Sequence, residues 1–228
     1  MVLKIFFGSS LEEFSTPLNK IVNGFIMELL GGDNNYHGNE SNYCISSIQG
    51  GKTNENGKTF FPNGALVAIS SNDTTFINKI LESIVYKSDD LKLSSLHYTN
   101  MTISEYEPFS DYDVIRTISP ISLKHNGVFY NCIDNDNFID KLRTHCISKL
   151  IKNGVSEKVA NTISIEPFHL INSKKVCVKI GKSKNISSKL MLIVKGDKEA
   201  RKKLYNMGLG RCTGFGFGFV EIMNRHMF

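Results

Sequence analysis

Strand and helix patterns follow one another along this chain in an order that occurs twice. In the first half, apolar runs and alternation predict four strands, at residues 2–7, 43–48, 65–70 and 91–103. Helical periodicity begins at Pro17 and again after Asp73, which is a suitable N-cap residue. The resulting order is strand, helix, strand, strand, helix, strand. It predicts an α+β fold of the ferredoxin-like type, in which two helices cover one face of an antiparallel sheet.

The second half repeats this order. Strands are predicted at residues 114–123, 128–131, 176–180, 190–194 and 215–222, and helices begin near Asp136 and after Asp197. Residues 153–175 fit no clear element, and we interpret them as an insertion. Two tandem βαββαβ units, similar in topology to RNA-recognition motifs, account for the 228 residues. We expect domains at residues 1–110 and 111–228.

Charge is distributed unevenly between the two halves. Residues 1–140 hold 9 basic and 17 acidic side chains, a net charge of −8, whereas residues 141–228 hold 18 and 5, a net charge of +13. Because no long single-sign run is present, the basic part is typical of a folded surface that faces phosphates. A solvated lysine-rich face stays open as the alternative, since lysine outnumbers arginine 22 to 5.

The cysteines and the hydropathy pattern exclude several classes of protein. Five widely spaced cysteines without a C-x-x-C pair predict neither a disulfide framework nor a zinc site. The N-terminus lacks the charged start and the long apolar core of a signal peptide, and no apolar stretch is long enough for a transmembrane helix. We therefore expect a cytoplasmic protein without a membrane partner.

A glycine-rich segment near the C-terminus carries the densest functional signal. Gly208-Leu209-Gly210 is followed by five residues, Arg211 to Phe215, and then by Gly216-Phe217-Gly218. Glycine tolerates positive φ and lets backbone N–H groups approach a bulky anion. The segment follows a helix and enters a strand, so it fits neither a dinucleotide fingerprint nor a P-loop. A glycine-rich turn without a ligand is the alternative.

With this motif, the chain resembles the CRISPR-associated endoribonucleases of the RAMP superfamily, which cut precursor CRISPR RNA within its repeats. The C-terminal loop of that family has the same form, Gly-hydrophobic-Gly, five residues, Gly-hydrophobic-Gly. Further agreement comes from Ser119-Pro120-Ile121, from the strand at residues 61–71 that leads into a helix at Asp73, and from Lys195-Gly196-Asp197. The resemblance spans nearly the whole chain, and it implies the same tandem ferredoxin-like fold.

The resemblance also implies a reaction that uses no metal or other cofactor. The RNA 2′-hydroxyl attacks the adjacent phosphate and leaves a 2′,3′-cyclic phosphate, or its opened form, and a 5′-hydroxyl. Such a reaction needs a base, an acid and a cation for the charge on phosphorus. A histidine after the first helix commonly takes part in the family, and His37 occupies that place; imidazole titrates close to working pH. Tyr36 and Lys52 are further candidates as catalytic helpers.

Basic residues of the second half are the candidates for RNA binding. Several lysines surround a predicted hairpin that could enter or straddle an RNA groove, and other cations and the motif glycines extend this track. The candidates are Lys174, Lys175, Lys179, Lys182, Lys184, Lys198, Arg201, Lys202, Gly208, Gly210, Arg211, Gly216 and Gly218, with Lys189 on the same hairpin. The sheets lack the aromatic pattern with which RNA-recognition motifs stack bases, which disfavours generic single-strand binding.

Three functions stay open from the sequence. The first is an endoribonuclease that recognises repeat RNA by sequence or shape, and the second is a non-catalytic RNA-binding subunit of a CRISPR effector complex. The third is a metabolic anion-binding protein of the same fold. The expected partner is CRISPR repeat RNA, with effector-complex subunits as a further partner class and a monomer or homodimer as the assembly state.

Overall fold

A computed structural model of the chain describes residues 1–15, 17–31, 36, 42–180 and 183–223; within them, the side chains of residues 169–172 are not described. The elements of the first half are β1 (Val2–Phe7), β2 (Ser10–Phe14), α1 (Leu18–Leu30), β3 (Tyr43–Ile45), β4 (Lys52–Thr53), β5 (Thr59–Phe61), β6 (Ala65–Ser71), α2 (Thr74–Lys87), β7 (Lys92–Leu93) and β8 (Leu96–Ser104). Five strands form a sheet in the order β3-β6-β1-β8-β7. A separate three-stranded sheet has the order β2-β5-β4.

The two helices of the first half begin where the sequence predicts. The Asp73 carboxylate accepts hydrogen bonds from the backbone N–H groups of Thr75 (2.8 Å) and Phe76 (3.3 Å), so it caps α2. Pro17 is the residue before α1, where its fixed φ suits a helix start. Both predicted helix starts are confirmed.

The pleat of β1 decides which residues face which core. Leu3, Ile5 and Phe7 point to one face and join the buried residues of α1 and α2 in one hydrophobic cluster. Val2 points to the opposite face and belongs, with Ala68, to the cluster that is built mainly from the second half. The first sheet is therefore covered by its own helices on one face and contacts the second half with the other.

The second half has the same topology with added strands. Its elements are β9 (Tyr112–Thr117), β10 (Ile121–His125), β11 (Val128–Tyr130), α3 (Phe138–Lys152), α4 (Glu157–Ala160), β12 (Ser164–Ile180), β13 (Ser183–Lys195), α5 (Lys198–Met207) and β14 (Val220–Ile222). The sheet has the order β11-β10-β13-β9-β14, and β12 pairs with β13. Along the path β12-β13-β9-β14, the spatial order of strands equals that of β3-β6-β1-β8 in the first half. The predicted tandem ferredoxin-like fold is confirmed.

Residues 153–175 are not an insertion outside the fold, so that prediction is wrong. They contain α4 and most of β12, a strand of 17 residues that forms a long antiparallel hairpin with β13. The register of this hairpin shifts after Pro167 and again after His169. Such irregularities interrupt the alternation by which a strand is recognised in sequence.

The strand predicted over residues 215–222 is shorter than expected, since only Val220–Ile222 is assigned as strand. Thr213–Phe215 forms a 3-10 turn, and Gly216 and Gly218 have φ values of +81° and +68°. A strand does not use this left-handed region. The alternation of Phe and Gly therefore mimics a strand while it serves a loop.

Two hydrophobic clusters accompany the two larger sheets, one made of residues between 3 and 96 and one made mainly of residues between 106 and 220. We keep residues 1–110 and 111–228 as a proposed division into domains on this basis. Among the described residues, no helix combines the length and the apolar character that a membrane crossing requires.

Candidate nucleic-acid interface and active site

The segment from Gly208 to Gly218, called the glycine-rich loop below, connects α5 to β14 in a tightly packed path. The four motif glycines have positive φ values between +68° and +81°. A Cβ on Gly208 would lie 2.4 Å from the Cys44 sulfur, and a Cβ on Gly218 would lie 1.9 Å from the Leu209 carbonyl oxygen. These positions accept no side chain without a shift of the protein around them.

The backbone N–H groups of the loop are largely used inside the protein. Gly208 donates to Tyr205 and Gly218 to Pro120, while Arg211 donates to the Ser122 carbonyl at 2.8 Å. These groups are therefore not free to bind an anion. Gly208 and Gly218 contribute the shape of the loop, whereas the exposed side chain of Arg211 stays accessible.

A buried lysine holds the start of the loop from within the second half. Lys149, on α3, is 2% exposed. Its ammonium donates to the carbonyl oxygens of Met207 (2.7 Å) and Gly208 (3.2 Å) and to the Thr213 hydroxyl (3.3 Å). An ammonium in an apolar interior is tolerated only when such acceptors replace its water.

Sequence reasoning missed Lys149, although a signal for it exists. The residue shares the buried face of α3 with Leu142, Cys146 and Leu150, at the spacing of the apolar positions. A lysine on that face predicts a cation with partners inside the protein.

Side chains of the first half hold the loop from the other side. Four described hydrogen bonds join the loop to the first half: Asn19 to the Phe215 carbonyl (2.9 Å), Asn23 to the Gly214 carbonyl (3.0 Å), the Thr213 hydroxyl to the Tyr43 carbonyl (2.9 Å) and the Cys44 thiol to the Phe217 carbonyl (3.2 Å). Burial raises the pKa of the Cys44 thiol to about 12, so the sulfur keeps the proton that it donates. The loop thus contacts α1 and β3 of the first half directly.

Of the catalytic candidates, His37 lies outside the described residues, while Tyr36 is described. The Tyr36 hydroxyl donates to the Asp73 carboxylate at 3.1 Å. Its ring packs edge-on against Phe76, with centroids 4.8 Å apart, and lies 6.3 Å from the ring of Tyr43. Burial, followed by the hydrogen bond to Asp73 and the negative charge of that carboxylate, raises the pKa of Tyr36 above its ordinary value. The hydroxyl is therefore a poor proton donor to any other group.

Lys52 lies on β4, in the small sheet β2-β5-β4, and its side chain is exposed. Tyr43, which contacts the glycine-rich loop, is instead on β3 of the five-stranded sheet. The structure places Lys52 on a different sheet from this contact, so its role as a helper stays a prediction.

The hairpin of β12 and β13 concentrates lysines. Lys174, Lys175, Lys179 and Lys184 are exposed, and Lys182 lies outside the described residues. Two pairs face each other directly across the strands, Lys174 with Lys189 and Lys179 with Lys184. Positions 174 and 179 differ by an odd number, so the two pairs lie on opposite faces of the hairpin. Lys175 forms an ion pair with Asp134.

Like charges directly opposite each other destabilise a pair of strands. Burial lowers the pKa of Lys189, and the positive charge of Lys174 lowers it further. The hairpin therefore carries positive charge on both faces. None of the described ion pairs includes Lys174, Lys179, Lys184 or Lys189. A polyanion would relieve this repulsion.

Arg201 is not available to RNA, so this prediction is wrong. Its side chain is fully buried and pairs with Asp113 at 2.6 Å, and the guanidinium also donates to the carbonyl oxygens of Phe109 and Gly196. The basic run at residues 201–203 misled the prediction, because Arg201 lies on the buried face of α5. The neighbouring Lys202 is partly exposed and pairs with Glu105 at 2.5 Å, whereas Lys198 is exposed.

The residues that the structure describes contain no group of three or more His, Cys, Asp or Glu side chains able to hold a metal ion.

Comparisons with known proteins bear on this arrangement. A family model described as CRISPR associated protein Cas6, C-terminal, matches residues 103–222. An RAMP protein described as binding different RNA substrates has a structure similar to this chain, with a TM-score of 0.79, 21% identity and coverage of 98% of this chain and 100% of that one. The product of a Cas6-related gene from Pyrococcus furiosus has a TM-score of 0.82 at 19% identity, with 99% of each chain covered.

A further solved structure, described as CRISPR associated protein Cas6, gives a TM-score of 0.76 at 16% identity over 98% of this chain and 99% of that one. At these identities, the three structures establish the shared fold. Among curated proteins, none matches this chain by sequence.

The packing of the loop generates a prediction with a matched control. We expect Gly218→Ala to lower the free energy of unfolding by about 1–3 kcal/mol more than Gly154→Ala, because its Cβ would overlap the backbone of Leu209. Gly154 has a similar positive φ, +81°, but open space around it, so the control carries the φ cost alone. Urea unfolding of both variants measures the difference; equal losses of stability would contradict the close packing of the loop.

Proposed function

This chain belongs to the Cas6 family of CRISPR-associated proteins, and we propose that it is a metal-independent endoribonuclease that cuts precursor CRISPR RNA within its repeats. The family model spans more than half of the chain and includes the glycine-rich loop. The proposal concerns the reaction, the catalytic histidine and the way in which the RNA is held.

The observation that carries the proposal is the hydrogen bond between the glycine-rich loop and Tyr43, which follows His37 by six positions in sequence. Tyr36 and Tyr43 bracket His37 in sequence, and the rings of both pack against Phe76. The carbonyl of Tyr43 accepts the hydroxyl proton of Thr213 in the loop. Both flanking residues therefore belong to one aromatic cluster that contacts the loop, which supports a joint role of the histidine and the loop.

The proposed reaction needs no component beyond RNA and protein. A base takes the proton of the 2′-hydroxyl, the 2′-oxygen bonds to phosphorus, the bond from phosphorus to the 5′-oxygen breaks, and an acid protonates that oxygen. We assign His37 to the acid–base work, because an imidazole can hold or release a proton near neutral pH.

Tyr36 fits a positioning role better than a proton transfer. Its hydroxyl proton is engaged by Asp73, and its raised pKa disfavours release of that proton. The edge-on contact with Phe76 fixes the ring next to the N-terminus of α2. We infer that Tyr36 anchors the backbone immediately before His37.

The lysine hairpin is proposed to hold the RNA. Positive charge on both faces of β12 and β13 suits an element inserted into a groove, where phosphates lie on either side. Lys198, Lys202 and Arg211 extend this surface toward the glycine-rich loop in our proposal. Of these, Lys202 is the least available because Glu105 already binds it.

A non-cleaving RNA-binding subunit is the second candidate. The observation that favours it is the similarity to an RAMP protein described by its binding of different RNA substrates. The two candidates share the RNA surface and differ only in whether bound RNA is cut. Effector-complex subunits as partners, and a monomer or homodimer, stay predictions.

The first prediction from the proposal concerns His37. We expect His37→Ala to lower the single-turnover cleavage rate of a repeat RNA in EDTA by about 10²- to 10⁴-fold, the usual contribution of a general acid or base, with the Kd for RNA unchanged. His97→Ala, which changes an exposed histidine on β8, serves as the control and should cut at the wild-type rate. Equal rates for wild type and His37→Ala would exclude the proposed active site, and binding without any cutting by the wild type would favour the second candidate.

The second prediction concerns the facing lysines. Replacement of both Lys179 and Lys184 by Gln should reduce the slope of log Kobs against log[salt] by about 1 to 2, since each phosphate contact releases about one counterion. The double variant Lys79→Gln with Lys92→Gln, which removes two exposed lysines of the first half, should leave the slope unchanged. Salt titrations of RNA binding measure both slopes, and equal slopes for all proteins would place the RNA elsewhere.

A further inference from the structure

A groove of about 560 Å³ opens beside the glycine-rich loop. It lies where the loop meets the hairpin of β10 and β11 and the end of the hairpin of β12 and β13. Its lining includes Lys124, Phe129, Ile180, Asn185, Arg211 and Phe215. The volume falls within the range of about 300–1,000 Å³ that is typical of small-ligand sites.

Phe215 presents an exposed ring on a fixed backbone at this groove. The residue is 46% exposed. Its N–H donates to the Cys212 carbonyl at 2.8 Å, and its own carbonyl accepts from the Asn19 amide at 2.9 Å. The ring is therefore held in the groove wall by a backbone that is hydrogen-bonded on both sides.

The backbone around this ring is also strained. Cys212, three residues before Phe215, has a φ of +57°, and it is one of only three non-glycine residues in the described part of the chain with a positive φ. Such conformations are strained, and they cluster at active sites and ligand sites. The strained backbone at Cys212, next to the exposed ring of Phe215, is a second observation that favours a ligand site at this turn.

Two cations flank the aromatic rings. The Lys124 ammonium lies 5.0 Å from the centre of the Phe129 ring. Arg211 is fixed by its N–H on the Ser122 carbonyl (2.8 Å), and its guanidinium lies 3.5 Å from the Lys124 carbonyl oxygen. Neither side chain forms an ion pair with a described carboxylate, and the described residues that line the groove include no carboxylate. Both cations are therefore available to an anionic ligand.

We propose that this groove binds one unpaired nucleotide of the RNA, with its base stacked on Phe215 and its phosphate held by Arg211 and Lys124. An aromatic face beside two cations matches a base linked to a phosphate. A base inside a duplex is already stacked on both faces, so the nucleotide must be unpaired to reach the ring. This inference rests on the proposed function, and it specifies that the RNA offers an unpaired nucleotide next to the loop.

The base would stack on a residue of the glycine-rich loop and not on strands of a sheet. The sequence lacks the aromatic pattern of RNA-recognition motifs on its predicted sheet strands. Phe217, the other aromatic residue of the motif, is fully buried and cannot stack on a base. Phe215 is therefore the ring of the glycine-rich loop that can contact RNA.

The test uses the full chain and the repeat RNA, with 2-aminopurine placed in turn at each unpaired nucleotide. In the wild type, we expect one position whose fluorescence changes on binding in a way that depends on Phe215, because the base leaves its neighbours in the free RNA and stacks on the ring. Phe215→Leu should abolish this change and raise the Kd by about 5- to 150-fold, whereas Phe215→Tyr, which keeps the ring, should stay within about twofold of wild type. Tyr86→Leu, which removes a ring that is 90% exposed on α2, is the matched control and should give the same change as the wild type.

The outcomes separate this proposal from the proposed function. If the wild type binds the repeat RNA but no position depends on Phe215, the nucleotide site is wrong while RNA binding stands. If the wild type does not bind the repeat RNA, both are overturned. Thermal unfolding of Phe215→Leu is measured as well. Because the ring is exposed, we expect its unfolding midpoint to equal that of the wild type.

Discussion

A buried ammonium determines where the glycine-rich loop lies. Lys149 is almost fully removed from water, and an unpaired ammonium there would cost several kcal/mol. Its three described acceptors belong to residues 207–213, and they reach the ammonium because the start of the loop follows its observed path. Small residues are required along that path, because atoms of Cys44 and Leu209 occupy the space that a Cβ would need.

The fixed loop joins the two halves of the molecule. On one side the loop follows α5 and is held by Lys149 of α3. On the other side it forms hydrogen bonds with residues of α1 and β3. The acidic half, in which His37 lies, and the basic half, which carries the lysine hairpin, therefore meet at this loop. In our account, the basic half holds the RNA and the loop brings it to the histidine.

The sequence predicted the fold well where a local rule governs each element. Asp73 and Asp197 cap helices as expected, and the apolar periodicity of α1 and α2 matches their buried faces. It failed over residues 153–175, where register shifts hide β12, and over residues 215–219, where glycines with positive φ imitate a strand. Both failures arise because pairing and backbone conformation depend on distant contacts, which a local pattern does not contain.

The candidate site was only partly predictable for a similar reason. The glycine spacing located the loop, but the contacts of Lys149 and Cys44 join residues more than 55 positions apart, and no local pattern reports them. Arg201 illustrates the opposite error, because a basic run suggests a charged surface while helical periodicity turns one of its members inward. Phe215 lay within the recognised motif, yet only its exposure distinguishes it from the buried Phe217.

The central claim is that this chain cuts repeat RNA by attack of the 2′-hydroxyl without a metal ion. The most direct measurement is the end chemistry of the products after incubation of the wild type with the repeat RNA in EDTA. Our account predicts one defined cut per repeat, a 5′-hydroxyl on one product and a 2′,3′-cyclic phosphate or its opened form on the other. Intact RNA after long incubation, or products with a 5′-phosphate that form only when a divalent metal is added, would contradict it.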